Sequence, residues 1–114
     1  MTRLAALLIP TLIAGSALAA ETRLSGGEIT ALLPEITAKT YDTFQTFSED
    51  GSTDYRASGR PSTGRWRVED NRYCSTWNTG GTPIWTCYEV LRDGDTLIWV
   101  DPNGERTVNT IEHK

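Results

Sequence analysis

Cysteine, histidine and close-set carboxylates are the residues of this chain best able to do chemistry beyond packing and hydrogen bonding. Cys74 and Cys87 could ligate a metal, supply a nucleophile or oxidise to a disulfide. A metal site needs more ligands than these two, and the one histidine, His113, stands next to the C-terminus. No Cys–His or Ser–His–Asp arrangement can be traced around it. Glu49-Asp50, Glu69-Asp70 and Asp93/Asp95 are carboxylate pairs, but each coincides with a turn signal, where Asp is favoured for bonding its own backbone. Asp50-x-Ser52-x-Asp54 has the opening spacing of a calcium loop. Its sixth position is Tyr55 instead of Gly, and its twelfth is Pro61 instead of Glu. The expectation is therefore no catalytic residue, no metal and no cofactor, and a protein that is not an enzyme.

Binding chemistry is better represented. Arg65, Arg67 and Trp85 fall on one face of the strands described below. Planar guanidinium and indole groups together suit a carboxylate, a sugar or a protein partner. They are read as a partner surface, for an unknown protein or small ligand. The competing reading is a surface Trp that shields a disulfide, with Arg stacked over it. Trp66, Trp77 and Trp99 mark a second candidate, the interior of a barrel, although in a small barrel such side chains more often fill the space.

The N-terminus states the compartment. Met1-Thr2-Arg3 is basic, Leu4 to Ala14 is apolar, and Ala17-Leu18-Ala19 has the A-x-A pattern of a cleavage site. That is the layout of a secretory signal peptide. The apolar run is shorter than the roughly 20 residues that span a bilayer. Residues 1–19 are expected to be removed, leaving 20–114 as a single small domain in the periplasm or outside the cell. Export makes Cys74 and Cys87 a disulfide pair. The 114-residue chain carries a net charge of -4, and losing Arg3 makes it more negative. That disfavours nucleic acid, which needs a basic patch, and an anionic membrane surface. No membrane anchoring is expected after cleavage.

The elements that would position these residues can be read from caps and turns. Ser25 and Glu28 have capping-box spacing, and Leu24 and Ile29 stand where a hydrophobic staple places them. A helix of about two turns follows, ended by Pro34, which disfavours helical geometry at Leu33. From Lys39 onward, turn signals recur between short segments rich in Thr, Trp, Tyr, Val and Ile. They occur at Glu49-Asp50-Gly51-Ser52, Gly59-Arg60-Pro61-Ser62, Asp70-Asn71, Gly80-Gly81, Asp93-Gly94 and Asp101-Pro102-Asn103-Gly104. The pattern predicts a mainly β fold: an antiparallel meander closing into a small barrel or sandwich, with one short N-terminal helix and one cross-strand disulfide.

Taken as a two-residue turn, Gly80-Gly81 sets Cys74 opposite Cys87 at a non-hydrogen-bonded position. Pro83 then lands where no N–H is needed. Asp93-Gly94 sets Val90 against Leu97 and Tyr88 against Trp99, and Asp70-Asn71 sets Val68 against Tyr73 and Gly64 against Trp77. Alternation then sorts the side chains onto two faces. Trp66, Val68, Tyr73, Trp77, Ile84, Tyr88, Val90, Leu97 and Trp99 form the core. Arg65, Arg67, Glu69, Arg72, Cys74, Cys87 and Glu89 face outward with Trp85, Leu91, Ile98 and Val100. The outer face carries a Glu69–Arg72–Glu89 row of alternating charge, and the helix covers its apolar end at Leu91, Ile98 and Val100. A last strand runs from Glu105 to Ile111.

Gly64-Arg65-Trp66, Cys74, Trp77, Cys87-Tyr88 and Asp93-Gly94-Asp95, after the Leu24-Ser25-Gly26-Gly27-Glu28-Ile29 helix start, resemble small exported proteins of unknown function from Gram-negative bacteria. The resemblance implies an exported β-rich domain and no activity. The expected function is that of an exported non-enzymatic binding or interaction protein. The alternative is a lipocalin-like carrier of a small hydrophobic ligand, and a hydrolase is less favoured.

Overall fold

Backbone conformations at the turns set the path of the chain. In the computed structural model, which describes residues 21–77 and 80–114, Asp70 and Asn71 both have positive φ, at 50° and 58°. A type I′ turn demands this at both central residues. It joins β5 (Arg60–Glu69) to β6 (Arg72–Thr76), with Val68 opposite Tyr73 as expected. Ser58 and Gly59, at φ 49° and 79°, make a second such turn between β4 (Ser52–Ala57) and β5. This corrects the expected turn at Gly59-Arg60-Pro61-Ser62, whose last three residues lie in β5. Pro61 pairs with Arg56, one step from the turn-flanking Ala57–Arg60 pair. Hydrogen-bonded and open pairs alternate, so Pro61 occupies an open position that needs no N–H.

Two further turns differ from expectation. β7 (Thr86–Asp93) returns as β8 (Thr96–Val100) through Gly94-Asp95, with Val90 opposite Trp99. Gly94 has φ 58°, whereas Asp95 is not among the positive-φ residues. Glycine is thus the first central residue, as a type II′ turn requires, and not the second. The register moves by two residues, so every side chain keeps its face. At Gly80-Gly81 there is no tight hairpin. β6 stops at Thr76 and β7 starts at Thr86, so Trp77 and residues 80–85, Pro83 among them, lie outside the strands. The register nevertheless stands, with Tyr73–Tyr88, Cys74–Cys87 and Ser75–Thr86 opposed.

β2 (Ile36–Lys39), β3 (Thr43–Phe47) and β4 through β9 (Arg106–His113) form one antiparallel up-and-down meander. β9 pairs back on β2, with Ile36 opposite His113, and the ring is closed as an eight-stranded barrel. β1 (Thr22–Arg23) extends the edge of β7 where β6 has ended. The final strand therefore runs two residues beyond the expected Ile111, because its last residues complete closure against β2. Ahead of it, Asp101 Oδ1 accepts from the amides of Asn103 and Glu105 at 2.8 Å, and Gly104 takes φ 82°.

The helix α1 (Gly26–Leu32) starts at the expected capping box. Ser25 Oγ accepts from the Glu28 amide at 3.2 Å, and Glu28 Oε1 from the Ser25 amide at 3.0 Å. Leu33 keeps right-handed helical angles, and one 3-10 turn through Pro34 to Glu35 follows. Pro34 thus tightens the helix before ending it, since a first-turn position asks for no N–H. α1 does not cover Leu91, Ile98 and Val100. Its Ile29 and the Leu33 that follows the helix are fully buried in the core with Leu24, Ile36, Phe47, Val90 and Leu97, closing one end of the barrel. The Gly26 amide donates to Asn71 Oδ1 at 2.7 Å, tying the plug to the β5–β6 turn.

The barrel core is aromatic around Phe47. Trp66, Tyr73 and Trp99 each meet its ring edge-on, with centroids 5.7, 5.6 and 6.2 Å away. Two residues expected there are not: Trp77 is 40% exposed and Ile84 73% exposed. Both lie outside the strands, at positions that the tight-turn reading had treated as strand. Cys74, expected on the outer face, is buried, and so is Ile98, although α1 packs elsewhere. Cys74 and Cys87 form the disulfide, with Cα atoms 4.0 Å apart. No helix among the described residues is long and apolar enough to cross a membrane.

Replacing Leu33 with Ala should remove about 2–5 kcal/mol of stability in denaturant unfolding. The same change at half-buried Leu91 should cost markedly less; equal losses would contradict the plug. Thiol labelling of the protein should find about two thiols after reduction and none before, and labelling without reductant would refute the pairing in solution.

Candidate functional site

The outer-face residues are brought together only in part. The Arg67 guanidinium carbon lies 4.0 Å from the Trp85 ring centroid, and Arg67 Nη2 is 3.1 Å from Glu69 Oε2. Arg67 stands opposite Cys74, so this stack lies beside the disulfide. Arg65 turns the other way, toward the β3–β4 turn, with Nη2 3.5 Å from Asp50 O. The expected Glu69–Arg72–Glu89 row is also rearranged: Arg72 approaches Asp70 at 4.0 Å and Arg23 takes Glu89 at 3.6 Å. Reach explains this, since β1 brings Arg23 beside β7. These pairs are about half exposed, and such pairs contribute little.

The acidic groups behave as turn residues. Asp50 Oδ1 accepts from the Ser52 amide and hydroxyl at 2.8 and 2.7 Å, which holds its carboxyl below its ordinary range. Asp54 accepts from Thr63 Oγ1 at 3.1 Å, and His113 faces Asp95 at 3.5 Å on the surface. Glu69 lies near both cysteine sulfurs. Those sulfurs are bonded to each other, so no thiolate is offered to a metal.

A concavity lies inside the barrel, at the end opposite α1. Inward positions near α1 carry Ile36, Phe47, Val90, Leu97 and Ile111, and the space there is filled. Toward the other end the inward residues become short and polar, and a cavity of about 620 Å³ opens. Its aromatic lining is Tyr55, Tyr73, Trp77, Tyr88 and Trp99, and its amides are Gln45 and Asn109. Hydroxyls complete it, from Thr40, Thr43, Ser62, Thr63, Ser75 and Thr107. Trp99 and Trp77 line it as expected. Trp66 lies deeper, packed on Phe47, with Nε1 donating to Ser48 O at 2.9 Å.

Gly64 explains how Trp77 reaches the rim. A Cβ there would lie 2.6 Å from Trp77 Cε3 and from Thr76 O. Only glycine lets the indole lie flat on β5, a cross-strand arrangement in which the aromatic covers the missing side chain. Tyr55 then meets Trp77 with ring centroids 5.6 Å apart at 61°.

The cavity floor is a buried polar network. Gln45 Nε2 donates to Thr53 Oγ1 at 3.1 Å and to Tyr73 Oη at 2.9 Å, while Thr53 Oγ1 donates to Thr46 O at 2.8 Å. Asn109 Nδ2 donates to Leu97 O at 3.1 Å. Burial pushes the Tyr73 hydroxyl up from 10.0 to about 12, against the opposing hydrogen bonds of Ser75 and Gln45. Burial also raises Tyr88, helped by the Asp101 carboxylate. The amides and Ser75 were not singled out in the sequence. The signal was their parity: Gln45-x-Phe47, Asn109-x-Ile111 and Tyr73-x-Ser75-x-Trp77 put each polar residue on the core face.

Because folding raises the Tyr73 hydroxyl, the folded state holds its proton where the unfolded chain has lost it. Stability contributed by the neutral phenol is complete below about 10 and is lost as pH rises through about 12. Tyr73→Phe should flatten that alkaline decline in urea midpoints and cost about 1–2 kcal/mol at neutral pH, through the lost Gln45 partner. Parallel pH profiles for the two proteins would show that another group governs the decline.

Set against known protein families, curated proteins and solved structures, the chain finds no match.

Proposed function

We propose that this chain is an exported, non-enzymatic binding protein that holds a small uncharged molecule in the open end of its barrel. The observation that carries this reading is the cavity itself, which has the size of ordinary small-molecule sites. Its lining joins aromatic faces to amides and hydroxyls and, among the described residues, includes no Asp, Glu, Lys, Arg or His. Proton transfer at neutral pH needs a group that titrates nearby. Tyr73 and Tyr88 are both displaced upward, away from that range. Binding without turnover follows from the same chemistry.

The signal-peptide layout of residues 1–19 and the Cys74–Cys87 disulfide support residence in the periplasm or outside the cell. A purely hydrophobic ligand is disfavoured, because the lining holds no aliphatic side chain among the described residues. The partner surface at Arg65, Arg67 and Trp85 is the weaker reading. Arg67 is already engaged by Trp85 and Glu69, and Arg65 leans on the β3–β4 turn.

An NMR screen with a library of neutral fragments tests this directly. Shifts should gather at the amides of Gln45, Ser75, Thr107 and Asn109 and at the Trp77 indole. Hits confined to Arg67 and Trp85, or no hits, would overturn the assignment.

A further inference from the structure

We infer that the ligand class of the cavity is a neutral carbohydrate of one or two rings; this rests on the binding reading above. Three features of the lining select it. The first is the absence of charge among the described lining residues. A carboxylate, phosphate or ammonium taken into this site would be desolvated with no counter-charge to compensate it.

The second feature is a pair of unused acceptors. Gln45 and Asn109 are only 7% and 6% exposed. Their N–H groups are spent inside the protein, on Thr53, Tyr73 and main-chain carbonyls. Neither Gln45 Oε1 nor Asn109 Oδ1 accepts a hydrogen bond among the described residues, although both residues line the cavity. A bound molecule must therefore bring donors, and hydroxyl groups do so. The hydroxyls of Ser62, Ser75 and Thr107 can each act as donor or acceptor, while those of Thr40 and Thr43 bond each other and that of Thr63 donates to Asp54. That distribution matches a ligand with polar groups around its whole perimeter.

The third feature is the arrangement of rings. The negative face of an aromatic ring attracts polarised C–H groups such as those on one side of a sugar. Tyr55 and Trp77 meet at 61°, and so form a corner at the rim. A flat nucleobase asks for parallel ring faces on its two sides. Tyr73 and Tyr88, which are near parallel at 22°, have their centroids only 5.7 Å apart and stack on each other. A puckered ring with one apolar side fits the corner and presents its hydroxyls to the amides.

The test is a titration of the exported, disulfide-bonded protein, followed by tryptophan emission and by NMR shifts of the cavity amides. The probes are maltose, cellobiose and di-N-acetylchitobiose, their uronic-acid counterparts, adenosine, and the neutral apolar dye N-phenyl-1-naphthylamine. At least one neutral disaccharide should bind saturably, shift the Gln45 and Asn109 resonances, and exceed its charged counterpart by about tenfold or more, a difference of about 1.4 kcal/mol. Trp77→Ala should weaken that binding by about tenfold. Thr107→Val, nearly isosteric, should weaken it less while leaving the melting temperature unchanged, which guards against a folding defect at Trp77. If adenosine or the dye moves the cavity resonances and no sugar does, the carbohydrate assignment fails while the binding reading survives. If no probe moves them, both fail.

Discussion

Pairing of β9 with β2 is the constraint on which the rest of the structure depends. Until that seam closes, the meander is an open sheet with two edges and two wettable faces. Once Ile36 lies opposite His113 and Ala38 opposite Ile111, one face becomes an interior. An eight-stranded ring encloses just enough room for side chains to meet across it. Closure also removes the edge strands that would otherwise invite further pairing. Both the aromatic core and the cavity are consequences of this one seam.

What fills the ring differs along its axis. At one end, Phe47 is surrounded by Trp66, Tyr73 and Trp99 in edge-on contacts, and α1 drives Ile29 and Leu33 into the aperture. Each aromatic pair adds about 0.5–1.5 kcal/mol beyond its buried area. The disulfide closes a loop with a sequence separation of 13, for which chain entropy suggests about 3 kcal/mol. Its real share is smaller, because β6 and β7 already hold each other in register. At the other end the same inward positions carry Thr, Ser, Gln and Asn, which are too short or too polar to fill the lumen. Stability is concentrated at the plugged end, and binding capacity at the open one.

Tyr73 joins the two ends. Its ring lies among Phe47, Tyr88 and Trp99, while its hydroxyl meets Gln45 on the cavity floor. The floor amides are held by bonds to the protein through their nitrogens, so their oxygens are presented without rotamer freedom. A site organised this way orders few side chains when a molecule enters, which keeps the entropic cost of binding low.

Much of the fold was legible in local signals. The capping box at Ser25 and Glu28, the Asp70-Asn71 turn and the opposition of Cys74 to Cys87 each depend on backbone sterics or on bonds between residues near in sequence or in one hairpin. Alternation sorted Trp66, Tyr73, Val90, Leu97 and Trp99 correctly, and a two-residue slip at Gly94 left every face unchanged. Misreadings arose where a local signal had two solutions, as with glycine in a I′ or a II′ turn, or a Gly-Gly pair set apart from the strand ends. Trp77 and Ile84 moved to the surface for that second reason. Period-two patterning shows which residues share a face, but not whether that face encloses a core, a cavity or water. That choice belongs to ring closure, to the end that α1 plugs and to Gly64 admitting Trp77 at the rim. Each of these joins residues far apart in the chain, and only the assembled barrel brings them within contact.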